Sequence, residues 1–232
     1  ENSEKRESIL IIEDDHDLRA YLINSLKSQY TILEASNGLE GIQQAVNHLP
    51  DIIISDIMMP ELDGIEMCKE LKKNIKTSHI PILLLTAKTA EEHIQIGLEA
   101  GAWDYITKPF NTQSLHQKII NILNTRNKFR EFLIKKNITI EVKNHYSSYD
   151  QKLITKISKI IEDNISNPEF STKDFATEIG LSRMQLHRKL KALLGQTTTT
   201  FINNIKMQCA TKMFDEGCDR IQEAMDAIGI NS

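Results

Sequence analysis

Five short apolar runs recur through the first half of the chain, and each is followed by a segment with helical periodicity. The predicted strands span residues 8–12, 30–34, 51–55, 81–85 and 103–107, and the predicted helices span 16–28, 38–48, 64–74, 90–100 and 112–125. Runs such as Ile52-Ile53-Ile54 are apolar on both faces, as strands of a parallel sheet covered by helices must be. The alternation predicts an α/β doubly wound sheet of five parallel strands.

Polar side chains follow four of these strands. Glu13 and Asp14 come after the first, Asp56 after the third, Thr86 after the fourth and Lys108 at the end of the fifth. In doubly wound sheets, ligands bind outside the carboxyl ends of the strands. Residues that are far apart in sequence are therefore expected to meet at one edge of the sheet.

The predicted cluster suits phosphoryl transfer to a carboxylate. Glu13, Asp14 and Asp56 supply the hard oxygen ligands that Mg²⁺ prefers, and a divalent cation is needed because these charges and a phosphate repel one another. Lys108 offers a positive charge to the phosphate and Thr86 a hydroxyl hydrogen bond. Each residue alone could be a solvated loop acid, a helix cap or a surface lysine, but their order at successive strand ends favours one site.

Residues 8–125 resemble the receiver domain of two-component response regulators, which has the flavodoxin-like fold. The resemblance implies that Asp56 is the phosphoacceptor and receives its phosphoryl group from a phosphohistidine on a kinase. Glu13 and Asp14 correspond to the family's acidic pair, and the backbone carbonyl of Met58 is expected to complete the metal site. Asp15 is assigned to helix capping rather than to the metal.

The same resemblance implies a conformational switch. Thr86 and Tyr105 correspond to the switch pair, and Lys108 to the family's lysine before a cis peptide to Pro109. Phosphorylation is expected to draw Thr86 toward the phosphate and turn Tyr105 inward. The resulting change would favour a homodimer through the receiver.

Enzyme activity is not expected of this segment. An aspartyl-phosphate hydrolase would need a general acid or base near Asp56, and Met58, two residues further on, cannot serve. The segment His16-Asp17-Leu18-Arg19 resembles the phosphorylatable box of sensor kinases, but it lacks the usual proline. No Gly-rich ATP-binding segment accompanies it. The parent protein could still include a histidine kinase.

The second half of the chain is predicted to be helical, which gives a receiver domain at 1–125, a linker at 126–147 and an all-α domain at 148–232. Ser171 with Asp174 and Ser182 with Gln185 form two capping-box patterns. Gly180 lies between them in a turn too short to be a linker. Two short helices joined by a tight turn predict a helix-turn-helix unit.

The second helix of this unit, within residues 182–194, is expected to contact DNA. Its charged residues are all basic, and four leucines form an apolar stripe for docking. Because recognition helices present their first residues to base edges, the candidates for base contacts are Arg183, Gln185 and His187. The candidates for phosphate contacts are Arg188, Lys189 and Lys191. A solvated basic helix is the alternative.

Residues 170–206 resemble the first half of an AraC/XylS-type DNA-binding domain, which has two helix-turn-helix units joined by a long helix. That helix is expected at 198–216, and residues 219–230 match the first helix of the second unit, with Gly229 at its turn. The given sequence stops at Ser232, before a second recognition helix. The domain is therefore expected to be incomplete at its C-terminus and to bind DNA weakly.

Composition limits the compartment and the partners. The formal net charge of −4 excludes a uniformly basic nucleic-acid binder. No stretch approaches the roughly 20 apolar residues of a membrane span, so no membrane contact is expected of this segment. Three cysteines fit neither a disulfide framework nor paired metal-ligand spacing, which indicates a reducing, cytoplasmic environment.

The sequence therefore predicts a phosphorelay response regulator in which a histidine kinase, in cis or in trans, phosphorylates Asp56 to control DNA binding and transcription. The combination is typical of the output segment of a hybrid two-component protein, although a free-standing regulator stays open. The alternative is a phospho-switched protein-interaction module whose helical C-terminal region does not bind DNA.

Overall fold

The computed structural model describes the backbone of residues 6–87, 91–136, 148–167 and 169–229. Side chains are described over the same ranges except at 91–94, 129–136 and 148–149. The chain divides into two compact units, Glu1–Asn127 and Lys128–Ser232. No helix in the described ranges is both long enough and apolar enough to cross a membrane.

The first unit alternates strands and helices as the sequence predicts. The strands are β1 (Ser8–Ile12), β2 (Thr31–Ala35), β3 (Ile52–Asp56), β4 (Ile82–Ala87) and β5 (Asp104–Lys108). The helices are α1 (His16–Leu26), α2 (Gly38–His48), α3 (Gly64–Lys73), α4 (Glu91–Glu99) and α5 (Thr112–Lys136). Helix α5 continues past residue 125, so the first part of the predicted linker is helical.

The five strands form one parallel sheet in the order β2-β1-β3-β4-β5. This is a flavodoxin-like strand order, which confirms the predicted sheet. Two apolar clusters cover its faces, one centred on Ile9, Ile11 and Ile54 and the other on Leu10 and Ile53. Because neighbouring residues of a strand point to opposite faces, a fully apolar run supplies both clusters at once.

The order of the strands positions the site. The chain moves outward from β1 to β2, then crosses back to β3 on the other side of β1. The carboxyl ends of β1 and β3 therefore lie side by side where the winding reverses. Asp56 is paired in register with Leu85 of β4, so the end of β4 is adjacent as well.

The second unit is all helical among its described residues. Its helices are α6 (Ser148–Asp163), α7 (Thr172–Ile179), α8 (Arg183–Leu194), α9 (Thr198–Asp215) and α10 (Ile221–Ala227). Phe175, Leu186 and Phe201 are fully buried in this unit. The segment 138–142, whose alternating pattern is typical of a short strand or an extended linker, lies outside the described residues.

Both capping boxes predicted in this unit are confirmed. Ser171 and Asp174 cap α7 reciprocally, and Ser182 and Gln185 cap α8. Gly180 ends α7 in the left-handed region with φ 82°, a conformation that glycine adopts without steric cost. Helices α7 and α8 are thus joined by a turn of three residues, Gly180 to Ser182.

Candidate functional site

Asp56 is the last residue of β3 and is buried, with 8% of its surface exposed. The backbone N–H of Ile57 donates to its Oδ1 at 2.8 Å, which fixes the carboxylate. Gly64, at the start of α3, lies against the Asp56 carbonyl so closely that a Cβ there would clash with it. The absence of a side chain at Gly64 therefore lets α3 begin directly against the backbone carbonyl of Asp56.

Lys108 forms ion pairs with residues at the carboxyl ends of β1 and β3. Its Nζ lies 2.9 Å from Glu13 Oε2 and 3.0 Å from Asp56 Oδ2. Burial by itself would lower the pKa of Lys108, but its hydrogen bonds to the two carboxylates and their charges raise the pKa above the ordinary 10.5. The lysine is therefore held as an ammonium ion, and the peptide that follows it, to Pro109, is cis as expected.

Glu13, Asp14 and Asp56 form an acidic cluster whose ligand oxygens lie within 4.8 Å of one another. Glu13 is buried, and desolvation together with the Asp56 charge raises its pKa, although the hydrogen bond from Lys108 opposes this. Asp14 is exposed. One ammonium cannot balance three carboxylates, so the cluster favours a further cation. Its oxygen donors fit Mg²⁺, which coordinates a few carboxylates and keeps several waters.

The sequence prediction missed Arg19, which forms hydrogen bonds with the loop that contains Glu13 and Asp14. Its guanidinium donates to the Glu13 carbonyl at 2.6 Å and more weakly to the Asp14 carbonyl at 3.4 Å. It also pairs with Glu34 of β2 at 3.3 Å. Arg19 lies four residues, about one helical turn, after Asp15. This spacing indicates that the Arg19 side chain lies near the loop that precedes α1.

Asp15 caps α1, as predicted. Its Oδ1 accepts from the backbone N–H groups of Asp17 and Leu18, each at 2.9 Å. The hydrogen bond from Leu18 is the main reason why the pKa of this exposed carboxyl lies below its usual 3.8. Asp15 therefore serves as the N-cap of α1.

Thr86 and Tyr105 lie on neighbouring strands. Tyr105 pairs in register with Leu84, two residues before Thr86, so the side chains of Thr86 and Tyr105 lie on the same face of the sheet. Thr86 is buried, and its hydroxyl donates to the Ala87 carbonyl at 3.4 Å, a long bond. Lys118 Nζ lies 5.6 Å from the centre of the half-buried Tyr105 ring.

Met58 lies in the loop between β3 and α3, with its side chain 65% exposed. The thioether therefore takes no part in the core. Its expected contribution, the backbone carbonyl, stays a prediction.

Helix α8 of the second unit presents most of the residues predicted to contact DNA. Arg183, Arg188 and Lys191 are exposed, and His187 is half-buried. Gln185 uses its side-chain oxygen to accept from the Ser182 N–H at 3.0 Å, which ties the side chain to the N-terminus of α8. The four predicted stripe residues are all buried, as follows: Leu186, Leu190, Leu193 and Leu194.

The expectation that Lys189 contacts the DNA backbone is corrected. Its side chain is 2% exposed, and its Nζ lies 2.8 Å from Asp150 Oδ1. Lys189 is three residues after Leu186 and four before Leu193, which places it on the buried stripe rather than on the basic face. A buried ammonium that is paired within the fold is not available to a phosphate.

The parallel sheet, the acidic cluster and the lysine that bridges it define the class of the first unit. Residues 9–120 match the family model of the response regulator receiver domain. The first unit is therefore a receiver domain of the two-component systems.

Relatives with curated names are consistent with this assignment. "Histidine kinase P4" of Formosa agariphila is 40% identical over 230 residues, which cover 98% of this chain and 17% of that protein. The "alkaline phosphatase synthesis transcriptional regulatory protein PhoP" of Bacillus subtilis is 40% identical over 116 residues, 50% of this chain and 48% of that protein. The chain thus spans less than half the length of either relative.

Two solved structures match about half of this chain. A response regulator from Chloroflexus aurantiacus is 37% identical and gives a TM-score of 0.50, covering 52% of this chain and 99% of that one. A CheY-like receiver domain from Methanospirillum hungatei is 27% identical, also with a TM-score of 0.50, covering 53% of this chain and 97% of that one.

Proposed function

We propose that this chain is a phosphorelay response regulator in which Asp56 accepts a phosphoryl group from a histidine kinase and thereby controls transcription. The observation that carries the proposal is the Lys108 ammonium, which lies within 3.0 Å of Asp56 and within 2.9 Å of Glu13. It gives a buried carboxylate at a strand end the positive charge that a phosphorylated product needs.

In the proposed reaction, a carboxylate oxygen of Asp56 attacks the phosphorus of a phosphohistidine. The new P–O bond forms as the P–N bond breaks, and the imidazole leaves as it takes up a proton. Lys108 then faces the phosphoryl oxygens. Glu13, Asp14, Asp56 and the Met58 carbonyl would hold Mg²⁺, which neutralises charge on the transferred group.

Phosphorylation would be relayed through the Thr86 and Tyr105 pair. The long 3.4 Å bond from the Thr86 hydroxyl to the Ala87 carbonyl is weak, so a phosphoryl oxygen can replace it as acceptor. Movement of Thr86 would free space on the face it shares with Tyr105. Inward rotation of the tyrosine would then remodel the surface and favour a homodimer.

The output is proposed to be an AraC/XylS-type DNA-binding domain at 148–232, following a receiver at 1–125 and a linker at 126–147. The two capping boxes around Gly180 and the basic face of α8 support this assignment. In this proposal Arg183, Gln185 and His187 contact bases, and Arg188 and Lys191 contact phosphates. The protein is proposed to act in the cytoplasm. One relative is named a histidine kinase and the other a transcriptional regulatory protein. The kinase that phosphorylates Asp56 is therefore proposed to lie either in the same polypeptide or in a separate one.

The acceptor assignment is tested by incubating the full chain with acetyl phosphate and Mg²⁺ and measuring intact mass. We expect one phosphoryl group on the wild type and none on Asp56→Asn. Asp17→Asn, which changes an exposed carboxylate on α1, is the matched control and should behave as the wild type. Equal phosphorylation of Asp56→Asn would exclude Asp56 as the acceptor.

A second candidate output is docking to another protein. It is favoured by three large apolar side chains of α9 and α10 that are strongly exposed, as follows: Met207 (53%), Phe214 (42%) and Ile221 (70%). Duplex affinity measured against salt separates the two outputs, because phosphate contacts make affinity fall steeply as salt rises. Absence of salt-dependent binding to any duplex would favour docking.

A further inference from the structure

Two charged side chains of the helical unit are buried against each other. Asp150 lies in the first turn of α6 and Lys189 near the middle of α8, and each side chain is only 2% exposed. The Lys189 Nζ is 2.8 Å from Asp150 Oδ1. Among the described residues of this unit, these are the two charged residues that are buried.

The stability of a buried ion pair depends strongly on the distance between its two charged groups. Removing a carboxylate or an ammonium from water is strongly unfavourable, and the charge of the partner offsets this only at close range. Apolar contacts tolerate sliding, whereas displacement of α6 from α8 would leave two uncompensated charges. The pair therefore specifies how these helices meet, beyond what the surrounding leucines require.

The pair also fixes which side of α8 faces outward. Lys189 is held from the buried side, beside Leu186 and Leu193, while Arg188 and Lys191 are exposed. Successive residues of a helix are separated by about 100° of rotation. A change in the rotation of α8 at Lys189 would therefore redirect the exposed basic side chains together.

We propose that Asp150 and Lys189 are positioning residues for DNA recognition, which set the rotation and placement of α8 through their buried ion pair. This rests on the proposed DNA-binding function of α8. The pair makes the orientation of Arg183 and Arg188 depend on the first turn of α6. That turn is the first part of the chain that the structure describes after α5.

The first test compares DNA binding of full-length variants, using duplexes that the wild type selects from a random-sequence library and a scrambled duplex. Lys189→Met should reduce the ratio of affinities for the selected and scrambled duplexes about tenfold, as loss of one base contact does. The salt dependence of its binding to the scrambled duplex should equal that of the wild type. Arg188→Met is the matched control, and loss of one phosphate contact should reduce its salt slope by about 0.9. A similar fall in slope for Lys189→Met would overturn the proposal.

The second variant separates positioning from stability. Asp150→Leu combined with Lys189→Met replaces the pair with apolar groups, a change that often preserves or increases stability. We expect this double variant to unfold at or above the wild-type temperature and still to lose selectivity for the chosen duplex. Wild-type selectivity in the double variant would show that the pair is merely structural.

A third measurement does not depend on DNA. Hydrogen exchange should be faster in Asp150→Asn than in the wild type within Arg183–Leu194, with little change in α3 of the receiver as the internal control. If the wild type binds no duplex, the proposed function fails, and the exchange result still decides whether the pair holds α8. Unchanged exchange in α8 would exclude that role.

Discussion

The Lys108 ammonium lies 3.0 Å from Asp56 Oδ2, although β4 separates their two strands in the sheet. The lysine reaches across the carboxyl end of β4 to the buried carboxylate and to Glu13 of the β1 end. Three strands thereby contribute to one charged cluster. Its members come together because parallel strands align their carboxyl ends, and not because they are close in sequence.

Replacing Lys108 should impair phosphorylation of Asp56. Lys108→Met removes the positive charge that faces the product, so we expect the initial rate with acetyl phosphate and Mg²⁺ to fall by about two orders of magnitude. The rate is measured by intact mass against time. Lys73→Met removes an exposed lysine that pairs with Glu70 and should keep the wild-type rate. A rate within about twofold of the wild type for Lys108→Met would contradict the role assigned to it.

The effect of Mg²⁺ on stability should depend on pH through Glu13. Because burial raises the pKa of Glu13 above 4.5, the folded protein holds this proton more tightly than the unfolded chain does. That contribution to stability is full below pH 4.5 and is lost as pH rises through the raised pKa. A cation that binds the ionised carboxylate offsets the loss, so stabilisation by Mg²⁺ should grow over the same pH window.

Thermal unfolding of the full chain with and without MgCl₂, from about pH 4 to pH 8, checks this dependence. Glu13→Gln cannot ionise at this position and should show a smaller magnesium effect with a flatter pH profile. Equal stabilisation of the wild type at every pH would exclude Glu13 as the titrating ligand.

Arg19 should influence metal binding without touching the metal. Its guanidinium holds the Glu13 and Asp14 carbonyls, so Arg19→Met should loosen the loop and weaken Mg²⁺ binding about tenfold, as loss of outer-shell partners does. Calorimetric titration of the full chain with MgCl₂ measures the change. Lys27→Met alters an exposed cation just after the same helix and is the control. Equal effects of the two substitutions would indicate a general electrostatic change.

The fold of the receiver follows from its sequence with little ambiguity. Runs such as Ile52-Ile53-Ile54 can be buried on both faces only within a covered parallel sheet, and the intervening helices begin at strong caps such as Asp15 and Asp63. The convergence of Glu13, Asp56 and Lys108 then follows from the alignment of strand ends.

Long side chains were harder to place from the sequence. The sequence pattern predicts no role for Arg19 and predicts that Lys189 contacts DNA phosphates, because composition alone does not reveal where a flexible side chain ends. The helical spacing of Lys189 from Leu186 and Leu193 did carry the information. The positive charge of Lys189 nevertheless favoured an exposed position. Its partner, Asp150, is distant in sequence, and the burial of the pair depends on how α6 and α8 pack.

Cys68 and Cys218 should differ in reactivity. Cys68 of α3 is fully buried, and desolvation raises the pKa of its thiol from the ordinary 9.0 to about 11. Cys218 is partly exposed. Since the thiolate is the reactive form, a disulfide reagent at neutral pH should modify Cys218 quickly and Cys68 only when the receiver unfolds.

The Cys68 thiol should also contribute to stability at high pH. The raised pKa means that the folded receiver keeps the thiol proton up to about pH 11, whereas the unfolded chain loses it above pH 9.0. Stability is therefore expected to decline between these values, by roughly 3 kcal/mol if the full shift is realised. Denaturant unfolding of the wild type and Cys68→Ala at several alkaline pH values measures this term. The alanine variant lacks the thiol and should show a smaller decline, and parallel curves for the two proteins would refute the assignment.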